Sequence, residues 1–204
     1  MKRGKFIVFE GLDRTGKTTI LQAATQRLCN ENKLPYICFK GVASDTEFGK
    51  SIKHKYSTFW FLVDLILLTF KYIKPALNQG YSVLQDKYNF FLEMHYPECY
   101  DDLNPFWLWL AKLFLIKPDL ILYFETDEEI QLRRLSEDRD NHYHLKLAAN
   151  PELLSNRKKL YEQVLEKSGC RVIKIDTSDA DIAKTTYQVV EIIRKEINGH
   201  ASKD

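Results

Sequence analysis

Apolar residues gather into five short runs rich in branched and aromatic side chains: Lys5 to Glu10, Tyr36 to Phe39, Ser82 to Asp86, Leu120 to Glu125 and Val172 to Asp176. Runs this short, with little polar alternation, predict strands buried in a sheet. Between them lie stretches long enough for helices, namely Lys17 to Asn30, Ile130 to Glu137, Glu152 to Lys167 and Asp179 to Ile197. Strands that alternate with helices imply a parallel sheet, so the class is α/β. Local signals support the boundaries. Gly80 stops the segment Tyr72 to Gln79, Pro151 suits a first helical turn, and Thr177 or Ser178 is expected to cap the last helix.

The most apolar stretch, Phe59 to Phe70, contains Asp64 and falls well short of the roughly 20 residues that cross a bilayer, so it reads as a buried helix. Its Phe59, Trp60, Phe61, Leu65 and Leu68 either fill the core, the default, or form the face of a homodimer. The region from Asp86 to Pro118 resists the pattern. Tyr88, Phe90, Phe91, Tyr96, Tyr100, Phe106, Trp107 and Trp109 are interleaved there with Glu93, Glu98, Asp101 and Asp102. Two expectations stand side by side: helical packing residues with solvated acids between them, or the wall of an acceptor pocket beyond the strand ends.

A chain of 204 residues with 45% hydrophobic side chains, 13% aromatics, 8 Gly and 6 Pro suits one packed domain. Disorder, collagen-like repeats and a solenoid do not fit. Thirty Lys and Arg against 28 Asp and Glu leave +2, which does not suggest the broad basic footprint of a duplex-binding protein. No nucleic-acid partner is expected, and any polyanion bound is small. Cys29, Cys38, Cys99 and Cys170 are far apart with no CxxC, so neither a zinc site nor a disulfide framework is indicated. Met1 to Gly4 lead into a short apolar run without the features of a signal peptide. The expectation is a cytoplasmic protein without a membrane anchor, with a polar tail, His200 to Asp204, that frays.

The strongest chemical signal follows the first predicted strand. Gly11-Leu12-Asp13-Arg14-Thr15-Gly16-Lys17-Thr18-Thr19 is a full GxxxxGK[ST] match, and a helix with apolar Ile20, Leu21, Ala24 and Leu28 comes after it. Gly11 and Gly16 permit backbone conformations that a β-carbon would obstruct, so successive amides can curl round phosphate oxygens at a helix N-terminus. Lys17 then reaches the β and γ phosphates, and the Thr18 hydroxyl is a ligand for Mg²⁺. Asp86, closing its strand, can hold the metal through water while Lys87 attends a phosphate. Beyond the loop itself no DxxG follows a strand, and no NKxD is found, so the marks of a GTPase switch are missing; Asn32-Lys33 runs on into Leu34-Pro35. A kinase also needs cations on something able to close over the transferring group. Arg133, Arg134 and Arg139, within Leu132 to Asp140, read as such a lid, and Arg14 is a further cation inside the loop. Asp13 is positioned to accept from a substrate hydroxyl, and Glu10 has a structural role.

These residues resemble the thymidylate kinases. Phe6 to Thr19 is similar to that family's FEGxDxxGKTT signature, with Arg14 matching the subtype that carries a basic residue in the loop. Pro75 to Gly80 with Val83 to Tyr88 resembles its PALxxGxxVxxDRY, and Lys117 to Phe124 its KPDLxxxL strand. The resemblance implies a five-stranded parallel sheet flanked by helices, the P-loop nucleotide kinase fold, in a single domain of residues 1–204 with a short lid at about 133–146. It implies transfer of the γ phosphate of ATP to a deoxynucleoside monophosphate, dTMP first, with Mg²⁺. By position, Gly11, Asp13, Arg14, Thr15, Gly16, Lys17, Thr18, Thr19 and Arg139 would bind the donor. Lys17, Arg14, Asp86 and Arg134 would serve the transfer, Thr18 and Asp86 the metal, and Asp13, Lys40, Lys87 and Tyr88 the acceptor, a small molecule.

The acceptor half departs from the family. Lys87 stands where the DRY signature has arginine, and Ile66 where the base-binding helix has one. The FPxR segment is replaced by Phe39-Lys40-Gly41-Val42-Ala43-Ser44, ahead of Thr46-Glu47-Phe48-Gly49, which matches the family's TExG. Lysine offers phosphate a point charge where arginine offers a bidentate fork, and Lys40, Lys87 and Lys71 stand as compensation. Two alternatives follow: the same fold acting on a nucleoside or sugar-like alcohol, or a nucleotide-binding protein without transferase activity.

Overall fold

All five residues of β1, Phe6–Glu10, are buried, and its side chains divide by the period of two between the faces of a sheet. Phe6 and Val8 join one apolar cluster and Ile7 and Phe9 another. A strand covered on both sides has no solvated face to alternate toward, which is why its sequence is a continuous apolar run. The computed structural model describes residues 3–30, 36–41, 44–52, 58–90, 92–93, 105–179 and 181–198. Asn32, Lys33, Val42, Ala43, Phe91, Tyr96, Glu98, Cys99, Tyr100, Asp101, Asp102 and His200 to Asp204 lie outside them.

The other strands are β2 (Tyr36–Phe39), β3 (Ser82–Asp86), β4 (Leu120–Glu125) and β5 (Val172–Asp176). They form one five-stranded sheet in the order β2-β3-β1-β4-β5, parallel at every pairing. The register sets Phe9 beside Asp86, Glu10 beside Tyr123 and Glu125 beside Asp176, so the strands end together and the residues after them share one edge.

Helix α1 (Lys17–Asn30) covers one face of the sheet with the C-terminal helix α9 (Ile182–Asn198). Their buried Ile20, Leu21, Ala24, Leu28, Val189, Val190 and Ile193 meet Leu84, Leu122 and Phe124. On the other face, α3 (Thr58–Leu68) runs through a π-helical turn, Thr69–Ile73, into α4 (Lys74–Asn78), after the short α2 (Glu47–Ile52). The turn precedes Pro75, which has no N–H to give the helix. There the Thr69 hydroxyl donates back to Leu65 O at 2.8 Å. Leu65 and Leu68 are core, while Trp60 and Phe70 are exposed, so the expected buried helix is buried along one side. Gly80, with φ of 86°, ends this segment as expected.

Three successive caps shape the region after β4. Asp127 Oδ1 accepts from Glu129 N to start α6 (Glu128–Ser136), earlier than the expected Ile130. Asn141 Oδ1 accepts from Tyr143 N and His144 N at the start of α7 (His142–Ala148). Asn150 Oδ1 accepts from Leu153 N, with Pro151 leading α8 (Pro151–Lys167). The expected lid is therefore mostly helical rather than a polar stretch: Arg133 and Arg134 lie on the last turn of α6, and Leu135 and Leu147 anchor the segment in the core. The last helix differs too. Asp181 Oδ1 caps it by accepting from Lys184 N at 2.9 Å, because Thr177 and Ser178 bond elsewhere.

The aromatic region divides. Tyr88 and Phe90 are core residues, whereas α5 (Pro105–Lys112) holds Phe106, Trp107 and Trp109 at the surface. None of these three lines the cavity described below. Glu93 pairs with Lys112 at 2.8 Å.

Candidate active site

The strand ends open onto a cavity of about 800 Å³ lined by Asp13 to Ile20 of the glycine-rich loop, by Lys40, Phe61, Asp86 and Lys87 on one side, and by Arg134, Glu137, His144, Thr177, Asp179, Ile182 and Thr185 on the other. Gly11 has φ of 146° and touches the strand beneath: a β-carbon there would lie 2.4 Å from Phe124 O. Gly16 has φ of 79°, just before the first turn of α1 closes with Ile20 N donating to Gly16 O.

Four consecutive loop carbonyls are engaged by side chains. Leu12 O accepts from Thr15 Oγ1 at 2.9 Å, Asp13 O from Gln131 Nε2 at 2.8 Å, Arg14 O from Arg134 Nη1 at 3.4 Å and Thr15 O from Thr177 Oγ1 at 2.6 Å. With the carbonyls so engaged, the amides are the groups left to meet an anion at the start of α1. Beneath the loop, Glu10 is fully buried, accepting from Tyr88 N at 2.7 Å and from the Tyr161 hydroxyl. Burial pushes its carboxyl up to about 7, against the lowering effect of those two hydrogen bonds and of Lys17 and Lys87.

Lys17 is almost wholly buried, its ammonium 3.5 Å from Asp86 Oδ1. Burial lowers its pKa, as does the like charge of Lys87, while Asp86 opposes them. The Thr18 hydroxyl donates to Asp86 Oδ2 at 2.8 Å, and Asp86 Oδ1 is buried with no hydrogen-bond partner among the described residues. A hydroxyl beside a carboxylate whose second oxygen faces an ammonium but makes no hydrogen bond is a donor set that fits Mg²⁺, which takes few protein ligands and keeps waters. Nearby, Lys87 donates to Asp13 Oδ1 at 2.7 Å. Burial alone would raise Asp13, but Lys87 beside it holds the carboxyl well below the usual range. Lys87 is raised in turn: burial works against its charge and Asp13 outweighs it. Arg14 and Lys87 are the two non-glycine residues with left-handed backbone among the described residues, at φ of 64° and 57°, and both line the cavity.

The expected site residues thus fall into three groups. Asp13, Arg14, Thr15, Gly16, Lys17, Thr18, Thr19, Lys40, Asp86, Lys87 and Arg134 share the cavity, with Gly11 behind the loop. Arg139 is exposed on the turn after α6, outside the cavity lining. Tyr88 does not reach an acceptor. It is fully buried edge-on to Phe6, with its hydroxyl accepting from Ile116 N at 3.0 Å, because the step from Lys87 sends its side chain back under the sheet. Ile66 is partly buried, and Lys71 is exposed over Tyr72, outside the lining. Sequence reasoning missed Gln131, Thr177 and His144, polar residues that match no motif; Thr177 alone carried a signal, since it directly follows a predicted strand.

Comparison with known proteins identifies the family. The family model described as thymidylate kinase matches residues 9–188. The chain belongs to the thymidylate kinase family. It is thus a nucleoside monophosphate kinase, an ATP-dependent phosphotransferase of thymidylate kinase type. A thymidylate kinase of Leptospira borgpetersenii is 28% identical over 206 residues, covering 95% of each chain. One from Dictyostelium discoideum is 26% identical, with 97% of this chain and 89% of that protein covered. In fold, the chain matches the thymidylate kinase structure from Ehrlichia chaffeensis at a TM-score of 0.66 and 18% identity, covering 94% of this chain and 99% of that one. The Candida albicans thymidylate kinase matches at 0.61 and 23% identity, covering 96% and 93%.

Proposed function

We propose that this kinase moves the γ phosphate of ATP to dTMP, working as one domain. What carries the reading is that the loop lysine, Lys17, and the carboxylate–ammonium pair of Asp13 and Lys87 line a single cavity, so a donor triphosphate and an acceptor monophosphate can meet in it. Phosphoryl transfer asks for alignment and charge neutralisation rather than covalent chemistry. The loop amides with Lys17, Arg14 and Arg134 meet the donor phosphates. Thr18 and Asp86 would hold Mg²⁺, which supplies charge neutralisation at the phosphate oxygens. Lys87, with Lys40 also lining the cavity, takes the acceptor phosphate, and Asp13, freed from Lys87, accepts from the acceptor's sugar hydroxyl. Phe61 offers an aromatic face to the base. Closure of residues 133–146 excludes water and brings Arg139 to the donor.

A cytoplasmic location is part of the proposal, supported by free thiols at Cys29, Cys38 and Cys170. No helix among the described residues is long and apolar enough to cross a membrane. A homodimer would join through the exposed Trp60, Leu67 and Phe70. The test is a coupled assay of ADP formation over a panel of acceptors. dTMP is expected to stimulate turnover most, and failure of dTMP and related monophosphates to stimulate it overturns the assignment.

A further inference from the structure

Five side chains, four of them charged and the middle one an imidazole, run from the acceptor side of the cavity to the tip of the loop. Lys87 lies 2.7 Å from Asp13 Oδ1. Asp13 Oδ2 faces His144 Nε2 at 3.8 Å, and His144 Nδ1 lies 2.6 Å from Asp138 Oδ2. Asp138 in turn grips the Arg14 guanidinium. The two outer members, Lys87 and Arg14, are the cations assigned above to the substrate phosphates. When they turn to those phosphates, Asp13 and Asp138 each lose a partner, and among the described residues the imidazole between them still faces both. A neutral imidazole has a single N–H and can serve one carboxylate as donor; only the doubly protonated ring serves both.

We propose that His144 is a positioning residue of the transfer site, which in its imidazolium form holds Asp13 toward the acceptor and Asp138 in place while Lys87 and Arg14 engage the substrates. This rests on the reading of Asp13 and Lys87 as acceptor ligands. Its place is secured by fold: Asn141 fixes the first turn of α7, and the imidazole is largely buried. Among the described residues, the charged groups near it come from four segments. The loop brings Asp13 and Arg14; the end of β3 brings Asp86 and Lys87; α6 and its turn bring Arg134, Glu137 and Asp138; α8 brings Arg157, whose guanidinium covers Tyr143 next to His144 in the chain. The Asp13 carboxylate facing it raises the imidazole pKa above its usual 6.5; partial burial opposes this and the hydrogen-bonded Asp138 reinforces it. A raised value favours the charged ring, so the positioning is present at low pH and lost as pH rises through the folded pKa.

Steady-state kinetics between about pH 6 and 9 on wild type, His144→Gln and His144→Lys test this. The glutamine variant is expected to raise the dTMP KM about ten-fold, with kcat and the ATP KM changed far less, since a charge-assisted contact is lost. The wild-type kcat/KM for dTMP falls on the alkaline side, and that limb is absent in the glutamine variant. The lysine variant keeps the charge and restores a low KM. A glutamine variant with wild-type KM and pH profile, or a lysine variant as impaired as it, overturns the proposal. Should wild type show no dTMP-stimulated turnover, the acceptor assignment fails by itself. NMR titration of the imidazole then decides: its pKa must lie above 6.5 and drop in Asp13→Asn and in Asp138→Asn, and an unshifted ring overturns the proposal.

Discussion

The hydroxyl of Thr177 donates to the carbonyl of Thr15 at 2.6 Å, fastening the end of β5 to the loop that follows β1. Glu125 O is within reach of the same hydroxyl at 2.9 Å, so one small side chain ties three segments. Thr177→Val keeps the shape and removes the donor. It is expected to cost about 1–2 kcal/mol of stability and to raise the ATP KM several-fold, while Thr177→Ser restores both. Chemical denaturation beside nucleotide kinetics reads the two effects.

Lys17→Ala removes the ammonium beside Asp86 that is assigned to the transferring phosphate. Loss of one stabilising donor in such sites costs on the order of 10²–10³ in rate, and kcat is expected to fall at least that far with the fold intact by circular dichroism. A variant that still turned over at a tenth of the wild-type rate would contradict the role.

Lys87→Ala separates the two substrates. The dTMP KM is expected to rise ten-fold or more and the ATP KM to stay within about two-fold, because a charge-assisted contact to phosphate is worth roughly 1.5–3 kcal/mol. Initial-rate measurements with each substrate varied in turn make the comparison. Equal rises in both constants would remove Lys87 from the acceptor side.

Glu10 gives a pH dependence of stability. Its carboxyl titrates near 7 in the folded chain against 4.5 ordinarily, so the folded state favours the protonated form. The stabilisation is complete below about 4.5 and is lost as pH rises through about 7. Glu10→Gln keeps an acceptor for Tyr88 N and cannot ionise. The melting temperature of the variant relative to wild type is therefore expected to rise between pH 5 and pH 8, and a constant difference would show that Glu10 does not ionise in this range.

Much of the fold and the site is legible in the residues. All five strands are readable because each is a buried apolar run, and only the first is displaced, beginning at Phe6 rather than Lys5. The loop is readable because glycine, lysine and threonine at this spacing, between a strand and a helix, make a phosphate cradle and little else. The boundaries of α6 and α9 shift because Asp127 and Asp181 take the capping positions, a competition among neighbouring polar side chains that periodicity does not resolve. Tyr88 escapes a sequence reading since its neighbour Lys87 faces the cavity while Tyr88 turns into the core, a choice made by the left-handed backbone at Lys87. His144, Gln131 and Thr177 lie more than a hundred residues from the loop they touch, and no local pattern announces contacts of that range.

The four engaged carbonyls between Leu12 and Thr15 come under the control of Thr15 itself, two side chains of α6 and one that follows β5. The anion cradle is therefore a property of the assembled molecule, not of the nine-residue motif that betrays it. A synthetic peptide bearing that motif would lack three of the four fastenings, and a distant substitution on α6 can blunt ATP capture without touching the nucleotide.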